Sequence, residues 1–163
     1  MRQDASDHLL IVSTKASSQD EAASRLRALG TVTPLEGNPR LLLLTIRQER
    51  LDPESAWSRA GALLGDLGSV QPVLLDELGN PHLPTGEISV RFNEVPADDR
   101  LRSFAAEHDL CLRDRNEFVP QQAVFRPAAA SVYLPNLLKE LSQAKEAIAV
   151  WANTLTRFQR AGI

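Results

Sequence analysis

LLIVSTK at residues 9–15 and EISVRF at residues 87–92 decide the fold, because each opens the same series of elements. After the first come a helical stretch, a hairpin-like stretch ending in LLLLTI (Leu41–Ile46), a second helix and the run VQPVLL at residues 70–75. After the second come a helix, a hairpin ending at residues 123–126, another helix and the closing run IAVWAN at residues 148–153. Each half therefore reads β-α-β-β-α-β.

The helices carry start and stop signals. Ser18 followed by Glu21 fits a capping box, with Ala22, Ala23, Leu26 and Leu29 at helical spacing and Gly30 where a C-terminal cap belongs. Asp52-Pro53 gives a side-chain cap and a proline at the first helical position; Ala56, Ala60, Leu63, Leu64 and Leu67 form the stripe, and Gly68 ends it. Pro96 opens a third helix with Leu101, Phe104 and Ala105 inward. The fourth starts near Leu134 and turns Leu137, Leu138, Leu141 and Ala144 to one face. One-sided helices of this kind cover one face of a sheet. The fold class expected is α+β: tandem ferredoxin-like βαββαβ sandwiches, antiparallel sheets with helices on one face, with one repeat over residues 1–78, a linker over 79–86 and a second repeat over 87–163. Gly79-Asn80-Pro81 and Pro84-Thr85-Gly86 are the breaker signals that place the linker.

The strands differ between the halves. Ile88, Val90 and Phe92 alternate with Ser89 and Arg91, so one face is apolar and the other wet. The stretches 9–12 and 41–44 are apolar on both faces. In a two-layer sandwich, Leu9 and Ile11 or else Leu10 and Val12 then lie on the face that no helix covers, an apolar patch met by the second half or by a partner.

Charge and composition narrow the function. The 163 residues are 43% hydrophobic with a net charge of −3, enough for one domain or two small ones of about 80 residues. Residues 1–84 hold 8 basic and 11 acidic side chains, and residues 85–163 hold 10 of each. Neither half has the excess of Lys and Arg that a phosphate backbone attracts, so nucleic acid is not expected as a partner. No purely apolar run approaches the length of a membrane span. The start, MRQDASDH, has no apolar signal-peptide core, and the single Cys111 forms no internal disulfide. A cytoplasmic protein with no membrane contact is the expectation.

Catalytic chemistry finds little to work with. His8 lies at an irregular-looking start, His82 in the linker and His108 at a helix end, with no triad spacing and no G-x-S-x-G. The pairs Asp76-Glu77 and Asp98-Asp99 are adjacent, which is not a ligand spacing; Asp98-Asp99 suit the first turn of a helix. No Gly-rich loop joins a strand to a helix. The chain is read as a non-enzyme with no cofactor and no metal. RNA-recognition domains stack bases on sheet aromatics, but Leu41–Ile46 offers none and Phe125 stands alone. Metal-binding domains of this topology need C-x-x-C, which is absent. ACT-type regulatory domains stay open, because their ligand site has little side-chain signature.

The second half resembles the N-terminal prodomain of subtilisin-like serine proteases, the propeptide that acts as inhibitor and intramolecular chaperone. In that family a strand of the type E-I-x-V-x-F precedes a helix, hairpin and helix, and a V-x-[YW]-A-x-x-N segment closes the domain. Glu87-Ile88-Ser89-Val90-Arg91-Phe92 and Val150-Trp151-Ala152-Asn153-Thr154 stand at the corresponding places, and PTGEISVRF after PVLLDELG is similar to bacterial members. The resemblance covers about residues 70–158; the first half shares the element order but not the motif. The family's frequent Glu-Pro-Asn is missing here, and no catalytic Asp, His and Ser motifs of the protease follow.

The resemblance implies a mechanism. Such a prodomain lays its open sheet face on the protease and threads the chain after its last strand through the active-site cleft like a substrate, gaining main-chain hydrogen bonds along the cleft edge. The implied partner is a subtilisin-like serine protease, as a separate chain or a lost C-terminal domain. The implied partner-binding residues are Thr154, Leu155, Thr156, Arg157, Phe158, Gln159 and Arg160. Trp151 is expected in the core rather than at the contact. The alternative is a non-catalytic interaction or regulatory scaffold with duplicated ferredoxin-like, ACT-type domains.

Overall fold

The computed structural model describes residues 4–47, 51–129 and 132–155. Those residues form an α+β protein with four α-helices and two sheets, and it divides into two compact units, one of Ala5–Leu75 and one of the chain from Asp76 onward together with Asp4.

The first unit runs β1 (Asp4–Ser13), α1 (Gln19–Leu26), β2 (Gly30–Pro34), β3 (Leu41–Ile46), α2 (Pro53–Leu64) and β4 (Gly68–Leu75). A two-residue strand, β5 (Pro81–His82), follows, and the sheet order is β2-β3-β1-β4-β5. β1 is antiparallel to β3 with Leu9 opposite Leu44 and Ile11 opposite Leu42, and β3 is antiparallel to β2. Paired residues share a face, so Leu9, Ile11, Leu42 and Leu44 point together into a core closed by Ala22 and Leu26 of α1 and Ala56, Ala60 and Leu64 of α2. The other face of β1 is not an open apolar patch at its centre, because Leu10 is only 1% exposed. Trp57 packs beside the core and donates its indole N–H to the Val70 carbonyl at 3.1 Å.

Three helix ends differ from the sequence expectation. Ser18 makes no side-chain cap bond; its intended partner Glu21 instead accepts from Arg25 one turn on at 2.9 Å. Gly30 is no helix cap but the first residue of β2, where a Cβ would sit 1.9 Å from the Thr45 carbonyl oxygen. The cap on α2 is as expected, with Asp52 accepting from the Ser55 N–H at 3.0 Å. That helix turns off at Gly65 (φ 58°) into a short 3-10 turn, so Gly68 starts β4 rather than ending α2.

The second unit runs β6 (Pro84–Phe92), α3 (Asp98–Glu107), β7 (Leu110–Arg115), β8 (Gln122–Pro127), α4 (Leu134–Ser142) and β9 (Ala147–Thr154), with sheet order β7-β8-β6-β9. All three ladders are antiparallel. The core is aromatic. Phe104 of α3 meets Phe92 at 5.1 Å and Phe125 at 5.4 Å between ring centroids, and Leu101, Leu137, Leu138 and Leu141 join them in burial. Phe125, which looked isolated in sequence, is turned to this core and unavailable for stacking on a base. Residues 79–86, read as a linker, contain β5 and the start of β6.

Candidate functional site

β9 is an edge strand, paired on one side with β6. Val150 lies opposite Val90 and Ala152 opposite Ile88, so these residues share the helix-covered face. Strand alternation then sends Trp151 the other way, opposite Ser89. Trp151 is therefore half-buried on the face turned away from Phe104, not in the core as expected. Its parity is fixed by the register with β6, which a six-residue apolar run cannot reveal.

That face is polar around the indole. Ser89 is 2% exposed and donates to Asn153 Oδ1 at 2.7 Å. Glu87 accepts from Arg126 at 3.4 Å, and Arg113 stands 3.9 Å from the same carboxylate. Arg91 reaches Gln122 Oε1 at 3.5 Å, while its Nε is buried without an acceptor. Val124, opposite Ser89 in the ladder, is the apolar neighbour on β8. The arrangement suits contact with a protein surface: one large aromatic among paired charges.

The chain leaves this sheet at a defined point. Thr154 is opposite Pro84, and the Leu155 N–H donates to the Leu83 carbonyl at 2.8 Å, leaving the Leu155 side chain 36% exposed. Of the expected partner-binding residues, Thr154 and Leu155 are thus brought together at the end of β9. Thr156, Arg157, Phe158, Gln159 and Arg160 lie outside the described residues.

The titratable groups serve local structure. His8 is inside β1, where Nδ1 lies 3.1 Å from Thr45 Oγ1, so its surroundings are strand rather than irregular. His82 Nε2 is 2.9 Å from Asp76 Oδ2. The same carboxylate accepts the backbone N–H groups of Leu78 and Asn80, each at 2.9 Å, which closes the 76–82 turn. The bond from His82, then that from the Asn80 N–H, hold the Asp76 carboxyl well below the usual carboxylate range. His108 ends α3 with Nδ1 3.3 Å from Glu140 of α4. Arg100 is raised by its hydrogen bonds to Glu146 and then Glu107. Cys111 is an exposed free thiol. Among the described residues, no group of three or more His, Cys, Asp or Glu side chains could hold a metal ion, and no helix is long and apolar enough to cross a membrane.

One exposed residue was not singled out in the sequence. Phe118, at the β7–β8 hairpin tip, is 93% exposed. Its position between two turn residues, Asn116 and Pro120, was the available signal. No family model matches the chain, and no curated protein matches it.

Proposed function

We propose that the protein is a non-catalytic binding module of two ferredoxin-like units, and that it inhibits, and assists the folding of, a subtilisin-like serine protease. In this reading the second unit lays the Trp151 face on the protease, and the chain from Thr154 to Arg160 enters the active-site cleft. The observation that carries it is the anchoring of the chain exit: the Leu155–Leu83 bond holds the residue that follows the edge strand against the residue that precedes β6, where the chain can go on as a strand along a cleft edge. The ferredoxin-like assignment rests on the strand orders β2-β3-β1-β4 and β7-β8-β6-β9, which put the first and third strands of each series at the centre and the second and fourth beside them. An exposed free thiol at Cys111 suits a reducing compartment, and a cytoplasmic location belongs to the same proposal.

The test is competitive inhibition of a subtilisin-like protease by the full chain and by a variant ending at Leu155. Inhibition that is strong in the full chain and lost on truncation, with an unchanged circular dichroism spectrum, supports cleft occupancy. Val124→Asp should weaken docking by about 1–3 kcal/mol, the cost of burying an unpaired polar group. Inhibition that survives truncation rules out the tail, and absence of binding favours the duplicated regulatory scaffold.

A further inference from the structure

The β7–β8 hairpin tip presents Phe118 on a stiff support. Asn116 Oδ1 accepts the N–H groups of Phe118 at 2.9 Å and Val119 at 3.0 Å. Backbone bonds from Gln122 to Val119 and from Asn116 to Gln122 close the loop beneath. The backbone of a loop held this way loses little freedom when Phe118 is covered, so association has to order only the side chain. A second exposed apolar side chain, Val95 at 57%, lies in the 93–97 connection between β6 and α3. That connection and the residues flanking it are tied to the hairpin by four bonds: the Phe92 N–H to the Gln121 carbonyl at 2.8 Å, Gln121 Nε2 to the Asn93 carbonyl at 3.4 Å, and Arg115 to Asp98 at 2.7 Å and to the Pro96 carbonyl.

The charge around the two side chains is acidic on balance. Glu94, Asp98, Asp99, Asp114 and Glu117 are exposed, and Glu146 follows at the turn into β9. Against them stand Arg115, Arg100 and Lys145, of which Arg115 is paired with Asp98 and Arg100 with Glu146. An apolar anchor in an acidic surround fits an apolar surface flanked by cations and repels an acidic one.

We propose that this tip is a docking site for a cationic amphipathic segment of a partner protein, whose apolar face covers Phe118 and Val95 while its Lys and Arg side chains meet Glu94 and Glu117. The site is separate from the Trp151 face and from the chain exit, so it stands or falls independently of protease inhibition.

The experiment uses the full chain and a fluorescein-labelled helical peptide of leucine and lysine with one apolar face, followed by anisotropy. Saturable binding is expected, weakened about tenfold or more by Phe118→Asp, weakened less by Val95→Asp, and reduced by added salt. Phe118 is a surface side chain, and an unchanged thermal midpoint of the variant confirms that its fold is kept. The proposal is overturned if Phe118→Asp binds as well as the parent, if a lysine–serine peptide of equal charge binds as tightly, or if no binding appears at millimolar peptide.

Discussion

Phe92 of β6 and Phe104 of α3 meet edge to face, 5.1 Å between centroids with planes 81° apart. Both rings are buried, and Phe104 also bridges to Phe125, so one helix side chain ties two neighbouring strands of the second sheet. Phe104→Ala should lower stability by about 3–5 kcal/mol, the usual cost of removing a buried aromatic ring. Urea unfolding measures it; a loss below 1 kcal/mol would contradict the packing described.

Trp151 provides the contrasting case. It lies across the sheet from that cluster, so Trp151→Ala should cost clearly less stability than Phe104→Ala. A larger loss for Trp151→Ala would put the indole in the core after all.

Three glycines separate crowding from chain entropy. At Gly68 a Cβ would fall 2.3 Å from the Val12 carbonyl oxygen, and at Gly30 it would fall 1.9 Å from that of Thr45. Neither neighbour is a flexible side-chain end, so Gly30→Ala and Gly68→Ala should destabilise by about 1–3 kcal/mol or more. Gly61, inside α2, has nothing within 4 Å of the same atom. Gly61→Ala should stabilise by about 0.5–1 kcal/mol. Thermal midpoints of the three variants, two down and one up, are the readout.

Asp76 sets an acid limit. Its carboxyl is held well below the usual value, about 3.9, chiefly by His82. A depressed carboxyl contributes stability that is present above the unfolded value and is lost as pH falls towards the folded one. Asp76→Asn should therefore be less stable than the parent at pH 6, and the gap should narrow as pH drops below about 4. A gap independent of pH would assign the effect to lost packing in the turn rather than to the charge.

Much of this architecture was readable from residues, and the misreadings have specific causes. The stripe Leu137, Leu138 and Leu141 predicted α4 and its buried face, and Asp52-Pro53 predicted the start of α2, because both signals are local. Ser18 misled because Glu21 has two possible partners within a turn, and Arg25 wins. Gly30 and Gly68 misled because their reason is a strand neighbour distant in sequence, Thr45 in one case and Val12 in the other. Trp151 and Leu10 misled through parity and cover: which residue of an apolar run faces the helices depends on ladder register, and what buries the opposite face depends on packing. At the candidate site the closing run was read as ending at Asn153, one residue short of the Thr154 end of β9. Phe118 was not legible, since an aromatic in a turn reads the same whether it folds back or projects.

The strand order also bears on how the protein is made. In each unit the opening strand is interior and the closing strand docks beside it, β4 against β1 and β9 against β6. On a ribosome the first sheet has its four main strands once Leu75 has cleared the exit tunnel, so that unit can settle while the remainder is still being translated. The second has no such head start: until residues 147–154 emerge, one side of β6 waits unpaired, a sticky strand on a nascent chain. A stall between α4 and β9 would therefore expose the cell to an aggregation-prone intermediate, with a central strand rather than an outer one left open.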